Sequence, residues 1–158
     1  MKLIIMLVAV LSMSAIAGNK RCKEKYEQAL DTHRSANYQG EYTVEMVKYI
    51  ALLRETLAEQ DRNDPYFDNL KYKLCTSVTD TKESFIQTTT EVTTYIDQVN
   101  GLLNFKGCRF GWSIKLDEEE LKDAIRGMNS ELAKIDLTYI AFINTYYNST
   151  DVDLNCKD

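Results

Sequence analysis

A seven-residue apolar repeat between Asp117 and Tyr147 is the feature that most restricts how this chain can fold. Its apolar members follow one another at alternating spacings of four and three residues, which places them on one stripe of a helix. They are Leu121, Ile125, Met128, Leu132, Ile135, Tyr139, Phe142 and Tyr146. Asp117 and Glu120 stand in the register of a capping box, so the helix should begin there. A stripe of this length has to pack against other helices, and the sequence therefore predicts an all-α fold.

The first half of the chain reads as two helices joined by a turn. Apolar residues recur at helical spacing over 19–35 and again over 43–62. The asparagine and glycine within 37–40, between these segments, are typical of a turn. Two separate helices are therefore expected before residue 63.

Two more helices are expected before the long repeat. Asp64 and Pro65 can cap and open a short third helix, because a proline at the first helical position loses no hydrogen bond. Asp80, in capping-box register with Glu83, predicts a fourth helix over 80–103. Clustered threonines disfavour a helix there locally, but the apolar spacing is helical and does not alternate. The expected fold is a single-domain up-and-down bundle of about five helices, with the helix of the long repeat at its centre.

The first 17 residues are predicted to be a secretory signal. Lys2 supplies the positive charge, an apolar run over 3–11 follows, and Ala15-Ile16-Ala17 has the small residues of a cleavage site. The apolar run is shorter than the ~20 residues that a bilayer span needs, and no second apolar run follows. We therefore expect cleavage after Ala17 and a secreted, extracellular domain over 18–158 that has no membrane span.

The four cysteines should form two disulfides, because an exported chain with an even number of cysteines usually pairs them. No two of them are close enough in sequence for the paired ligands of a zinc site. If successive helices alternate in direction, Cys22 and Cys108 lie at one end of the bundle and Cys75 and Cys156 at the other. Bridged Cα atoms must lie within ~7 Å, so Cys22–Cys108 and Cys75–Cys156 are the predicted pairs.

Composition argues against several classes of function. The chain carries 19 basic and 24 acidic side chains, and a net charge of −5 without a basic cluster does not suit a nucleic-acid ligand. Its one histidine, His33, is the only candidate base for a catalytic triad, and no serine lies in a nucleophile motif that this base could activate. No phosphate-binding glycine loop is present. We therefore expect neither an enzyme nor a cofactor or metal site.

The sequon at Asn148 adds a predicted glycan.

Aromatic residues are the remaining signal, and they favour a binding function. Apolar and polar side chains alternate within 104–116, which predicts an extended segment with one apolar face. Phe105, Phe110 and Trp112 belong to this segment and are the candidate anchors for a partner, as large aromatic residues often are at interfaces. The leading hypothesis is a secreted, non-enzymatic protein that binds an extracellular protein partner.

A carrier of a small hydrophobic ligand is the alternative hypothesis. The second half of the long repeat is apolar on almost every side, so it is either buried throughout or lines a cavity between helices. The candidate cavity residues lie on or beside inward-facing stripes and are Tyr49, Tyr95, Tyr139, Phe142 and Tyr146. A close-packed core of the same residues would have the same pattern, so the sequence leaves both interpretations open, and the oligomeric state as well.

Overall fold

The computed structural model describes residues 20–105, 108, 118–151 and 153–156, and their secondary structure is entirely helical. Helix α1 spans Lys20–Glu59, α2 spans Phe67–Leu103 and α3 spans Glu118–Tyr146, with no strand in these described ranges. The all-α class is confirmed, but the described residues form three helices and not the five predicted.

The predicted turn at 37–40 is wrong, because α1 continues through it. The carbonyl of Gln39 accepts a hydrogen bond from the hydroxyl of Thr43 (2.8 Å), and the Gln39 amide donates to the hydroxyl of Ser84 on α2 (3.2 Å). Gly40 is itself buried. Contacts with α2 therefore stabilise a helix on a stretch whose local preference is for a turn.

The predicted start of a new helix at Asp80 is also wrong, because α2 is continuous there. The threonines of α2 donate their hydroxyl hydrogen to the carbonyl four residues earlier, as Thr79 does to Cys75 (3.1 Å) and Thr94 does to Thr90 (2.8 Å). This bond gives the threonine hydroxyl a hydrogen-bond partner within the helix, and it fits one of the two rotamers that threonine commonly adopts in helices. The apolar spacing was therefore a better guide to this segment than its β-branched residues.

The chain does turn between α1 and α2, as the sequence predicts. The Asp64 carboxylate accepts hydrogen bonds from the backbone N–H of Tyr66 (2.8 Å) and from the side-chain amide of Gln60 (2.6 Å). The Phe67 N–H donates to the carbonyl of Asp64 (2.9 Å). Asp64 thus stabilises the turn from both sides, and α2 begins shortly after Pro65 instead of at it.

The packing contacts divide the described residues into two compact units, to each of which all three helices contribute a segment. The first unit comprises 20–38, 89–105, 108 and 118–134, and the second comprises 39–88, 135–151 and 153–156. The core of the first unit includes Tyr26, Ala29, Val92, Tyr95, Val99, Leu102, Leu121 and Met128. The core of the second includes Ile50, Leu57, Phe67, Leu74, Val78, Phe85, Ile135, Phe142 and Tyr146.

Helix α3 confirms the seven-residue repeat but not burial on every side. The members of the repeat that are buried are Leu121, Met128, Ile135, Phe142 and Tyr146. On the opposite side, Leu137 and Ile140 expose 69% and 55% of their surface. The prediction that this helix lies at the centre of the fold is therefore wrong, because α3 is covered along one stripe only.

Both predicted disulfides are present. The Cα atoms are 5.3 Å apart in Cys22–Cys108, within the first unit, and 5.1 Å apart in Cys75–Cys156, within the second. The pairing was derived for five helices of alternating direction, yet it also holds for three. Two of the predicted chain reversals, at 37–40 and at Asp80, are absent. Because an even number of reversals is lost, the directions of the last two helices are the same as in the predicted bundle, and so is the cysteine pairing.

Candidate functional site

One of the three predicted partner anchors lies within the described residues. Phe105 follows α2, is partly buried, and has its ring centroid 5.7 Å from Lys25 Nζ. Its carbonyl accepts a hydrogen bond from the N–H of Cys108 (2.8 Å), so the disulfide at Cys108 constrains the backbone beside the ring. Phe110 and Trp112 lie outside the described residues, and their role as anchors stays a prediction.

Three of the five predicted cavity residues come together in the second unit, but they pack against one another. The ring of Phe85 has its centroid 5.5 Å from those of Tyr139 and Phe142, and the Phe142 centroid is 5.2 Å from that of Tyr146. Phe85, Phe142 and Tyr146 are buried. At these distances the rings are in mutual contact, so they fill the space that a ligand would need.

The other two predicted cavity residues lie elsewhere. Tyr49 exposes 46% of its surface on the outside of α1, so it does not line an interior cavity. Tyr95 is buried in the first unit, with its ring centroid 5.2 Å from that of His33. The five residues therefore do not define a single cavity.

The ionisable groups around Tyr95 are held in their neutral forms. Burial raises the pKa of Tyr95, and burial together with the charge of a Tyr95 phenolate raises the pKa of Tyr26 to about 12. Burial, followed by the neighbouring Arg34 charge, lowers the pKa of His33. The Nε2 atom of His33 is buried and has no hydrogen-bond partner among the described residues. The imidazole of His33 thus packs on the ring of Tyr95 as part of the core of this unit.

The described residues do not assemble a metal site or a reactive thiol. Among them, no group of three or more His, Cys, Asp or Glu side chains could hold a metal ion. All four cysteines are in disulfides. None of the described helices has the length and apolar composition needed to cross a membrane.

The structure shows an exposed aromatic surface that the sequence analysis did not identify. Tyr42, Tyr49 and Leu52 expose 45%, 46% and 59% of their surface, and all three belong to the second unit. Their spacing of seven and three residues places them on one side of α1, away from the buried Ile50. Tyr42, Tyr49 and Leu52 are called the outer face of α1 below. The sequence signal was their shared helical spacing, and of the three only Tyr49 was assigned a site from the sequence, as a cavity residue.

Carboxylates outnumber cations in the segment of α1 that carries this outer face. Between residues 39 and 59 the exposed charged side chains are Glu41, Glu45, Lys48, Arg54, Glu55 and Glu59. Lys48 forms an ion pair with Glu45 (2.5 Å), and Arg54 hydrogen-bonds the hydroxyl of Tyr146. The carboxylates of this segment that form no ion pair with a described residue are Glu41, Glu55 and Glu59. The outer face of α1 therefore belongs to a segment with an excess of negative charge.

A cleft of about 300 Å³ in the second unit lies beside the coil that follows α3. Leu57, Phe67 and Leu154 contribute apolar lining, and the charged lining residues are Arg54, Arg62, Asp151 and Asp153. Arg62 is already paired with Asp153. The cleft is at the lower limit of ligand-pocket volume and four charged side chains line it, so it does not favour a carrier of a hydrophobic ligand.

No protein-family model matches this chain, and no curated protein or solved structure is significantly similar to it.

Proposed function

We propose that this chain is a secreted, non-enzymatic binding protein that contacts an extracellular protein partner through the outer face of α1. The observation that carries the proposal is the exposure of Tyr42, Tyr49 and Leu52 on one side of a helix. Single exposed apolar side chains are normal on a protein surface, whereas several on one face are typical of an interaction site. Tyrosine combines a large apolar ring with a polar hydroxyl, which suits a surface that is wet when free and buried when bound.

The disulfides support both the extracellular setting and a rigid binding surface. Disulfides persist in oxidising compartments, which agrees with the secretory signal predicted over 1–17. Cys75–Cys156 ties α2 to the coil after α3 in the same unit as the outer face of α1. A covalently constrained unit loses less conformational entropy on binding than a flexible one, so more of the contact energy appears as affinity.

The sequon is accessible for the predicted glycan. Asn148 is exposed just after α3, and its side-chain amide donates to the side-chain oxygen of Asn144 (3.1 Å). That single exposed hydrogen bond is a small obstacle to modification. Protein produced in a secretory host should lose mass on treatment with an N-glycosidase, and Asn148→Gln should abolish that loss.

Capture from the extracellular fluid in which the protein occurs tests the binding proposal. Wild type should recover a partner that the double variant Tyr42→Ala/Tyr49→Ala does not recover. Tyr72→Ala is the matched control, because it removes a tyrosine that is 73% exposed on α2 of the same unit. Equal recovery of every partner by wild type and the double variant would exclude the outer face from the site. Trp112→Ala in the same assay tests the anchor predicted outside the described residues.

A further inference from the structure

We infer that the partner of the outer face of α1 is a protein that presents a segment rich in arginine and lysine, an inference that rests on the proposed function. The first argument is charge. Exposed carboxylates outnumber exposed cations by four to two along residues 39–59, and Lys48 is already occupied by Glu45. Glu41 precedes Tyr42 and Glu55 lies one helical turn after Leu52, and neither forms an ion pair with a described residue. A partner with the opposite charge would be steered to this face and stabilised on it.

The second argument is the chemistry of the exposed side chains between those carboxylates. The faces of the Tyr42 and Tyr49 rings attract cations, and arginine in particular stacks on aromatic rings. Arginine and lysine also carry apolar stems, which can cover Leu52 while the charged group reaches a carboxylate. One kind of side chain therefore satisfies the aromatic, apolar and anionic parts of this surface together.

The same observations disfavour a second copy of this chain as the occupant. In a two-fold symmetric dimer the same patch faces itself, so the excess carboxylates of residues 39–59 would face those of the other copy. Like charges brought together at an interface oppose association. An anionic nucleic acid or lipid surface would be repelled for the same reason.

Fluorescence anisotropy with labelled oligo-arginine, oligo-lysine and oligo-glutamate peptides of equal length tests the inference. We expect wild type to bind oligo-arginine most tightly, oligo-lysine more weakly and oligo-glutamate not at all. Added salt should weaken the binding of both cationic peptides, because exposed charges are screened within ~10 Å at 0.1 M ionic strength. Equal binding of the cationic and anionic peptides would overturn the inference.

Matched variants then locate the binding. Glu41→Gln/Glu55→Gln should weaken binding of oligo-arginine by about tenfold, at roughly threefold for each exposed ion pair lost. Asp80→Asn/Glu83→Gln is the matched control, because it removes two exposed carboxylates from α2 of the same unit. It should change the affinity for oligo-arginine less than about twofold, which is the effect of losing the weakest exposed ion pairs. Equal weakening by the two double variants would assign the binding to net charge alone and overturn the inference.

Aromatic variants separate this inference from the proposed function. Tyr42→Ala/Tyr49→Ala should weaken oligo-arginine binding, and Tyr42→Phe/Tyr49→Phe should retain it, because the cation attraction resides in the ring. If the alanine variant loses the natural partner but binds oligo-arginine as wild type does, the proposed function stands and the cationic partner is excluded. If sedimentation shows a wild-type dimer that the alanine variant cannot form, the occupant is a second copy and the inference is wrong.

Discussion

The hydroxyl oxygen of Thr43 on α1 lies 2.6 Å from the hydroxyl oxygen of Ser84 on α2, inside the second unit. Thr43 also lies 3.0 Å from the hydroxyl of Thr88, and Gln39 donates to Ser84. The three hydroxyl residues are at most 4% exposed, so they form a polar network within a mainly apolar core. A shift of α1 along α2 would leave buried hydroxyls without partners, and the network therefore favours one register of the two helices.

Thr43→Val should lower the free energy of unfolding by about 1–3 kcal/mol, because it leaves buried polar partners unsatisfied while nearly preserving volume. Denaturant unfolding of wild type and variant measures the change. Thr56→Val is the matched control, since Thr56 makes a similar bond to the carbonyl four residues earlier (2.9 Å) but is exposed. The control should change stability by less than ~0.5 kcal/mol. Equal changes in the two variants would mean that the network does not stabilise the fold.

This network also shows why the sequence predicted helices correctly but not their number. The contacts that keep α1 continuous join Thr43 to residues 41 and 45 positions away, on another helix. A turn signal is read from neighbouring residues, and it carries no information about partners so distant in sequence. Apolar spacing identified the repeat in α3 because burial along one stripe is a property of the helix itself.

The outer face of α1 was not predicted from the sequence, because the number of neighbouring helices decides how much of the surface of a helix is buried. Leu52 precedes the buried Leu53, and in a larger bundle an additional helix could cover both. With the three helices of the described residues the covered stripe is narrower, and Leu52 and Tyr49 remain exposed. Sequence periodicity gives the direction of the buried stripe, whereas its width depends on how many neighbours are present.

Two isoleucines on opposite sides of α3 test the orientation of that helix. Ile135 is 3% exposed and Ile140 is 55% exposed. Ile135→Ala should cost about 2–5 kcal/mol of unfolding free energy, because it removes buried methyl groups and leaves a cavity. Ile140→Ala should change stability by less than ~0.5 kcal/mol, since it creates no cavity and alanine favours a helix. An unchanged denaturation midpoint for Ile135→Ala, or equal losses in both variants, would contradict this orientation.

A glycine near the end of α2 offers a stabilising substitution. Gly101 is helical and exposed, and a Cβ atom added there would have no heavy atom within 4 Å outside its own helical surroundings. Gly101→Ala should therefore raise the unfolding free energy by about 0.5–1 kcal/mol, because alanine loses less backbone entropy on folding. The reverse change at an exposed position of α1, Ala51→Gly, should cost a similar amount. A loss of stability in Gly101→Ala would show that the helix is not regular at this position.

Tyr26 should make the fold sensitive to alkaline pH. It is 7% exposed, and burial with the nearby Tyr95 raises its pKa from 10.0 to about 12. The unfolded chain therefore releases the phenolic proton at lower pH than the folded chain. The stabilisation is complete below pH 10 and is lost as the pH rises to 12, because the folded state binds more protons in this window.

The measurement is the unfolding free energy of wild type and Tyr26→Phe across that range of pH. Wild type should lose stability more steeply than the variant, which has no proton to release at this position. Some loss should remain in the variant, since burial also raises the pKa of Tyr95 and of Tyr146. Tyr72→Phe is the control, because Tyr72 is 73% exposed, and it should follow wild type. Parallel curves for wild type and Tyr26→Phe would show that the phenol of Tyr26 is ionised equally easily in the folded and unfolded chains, contrary to its buried position.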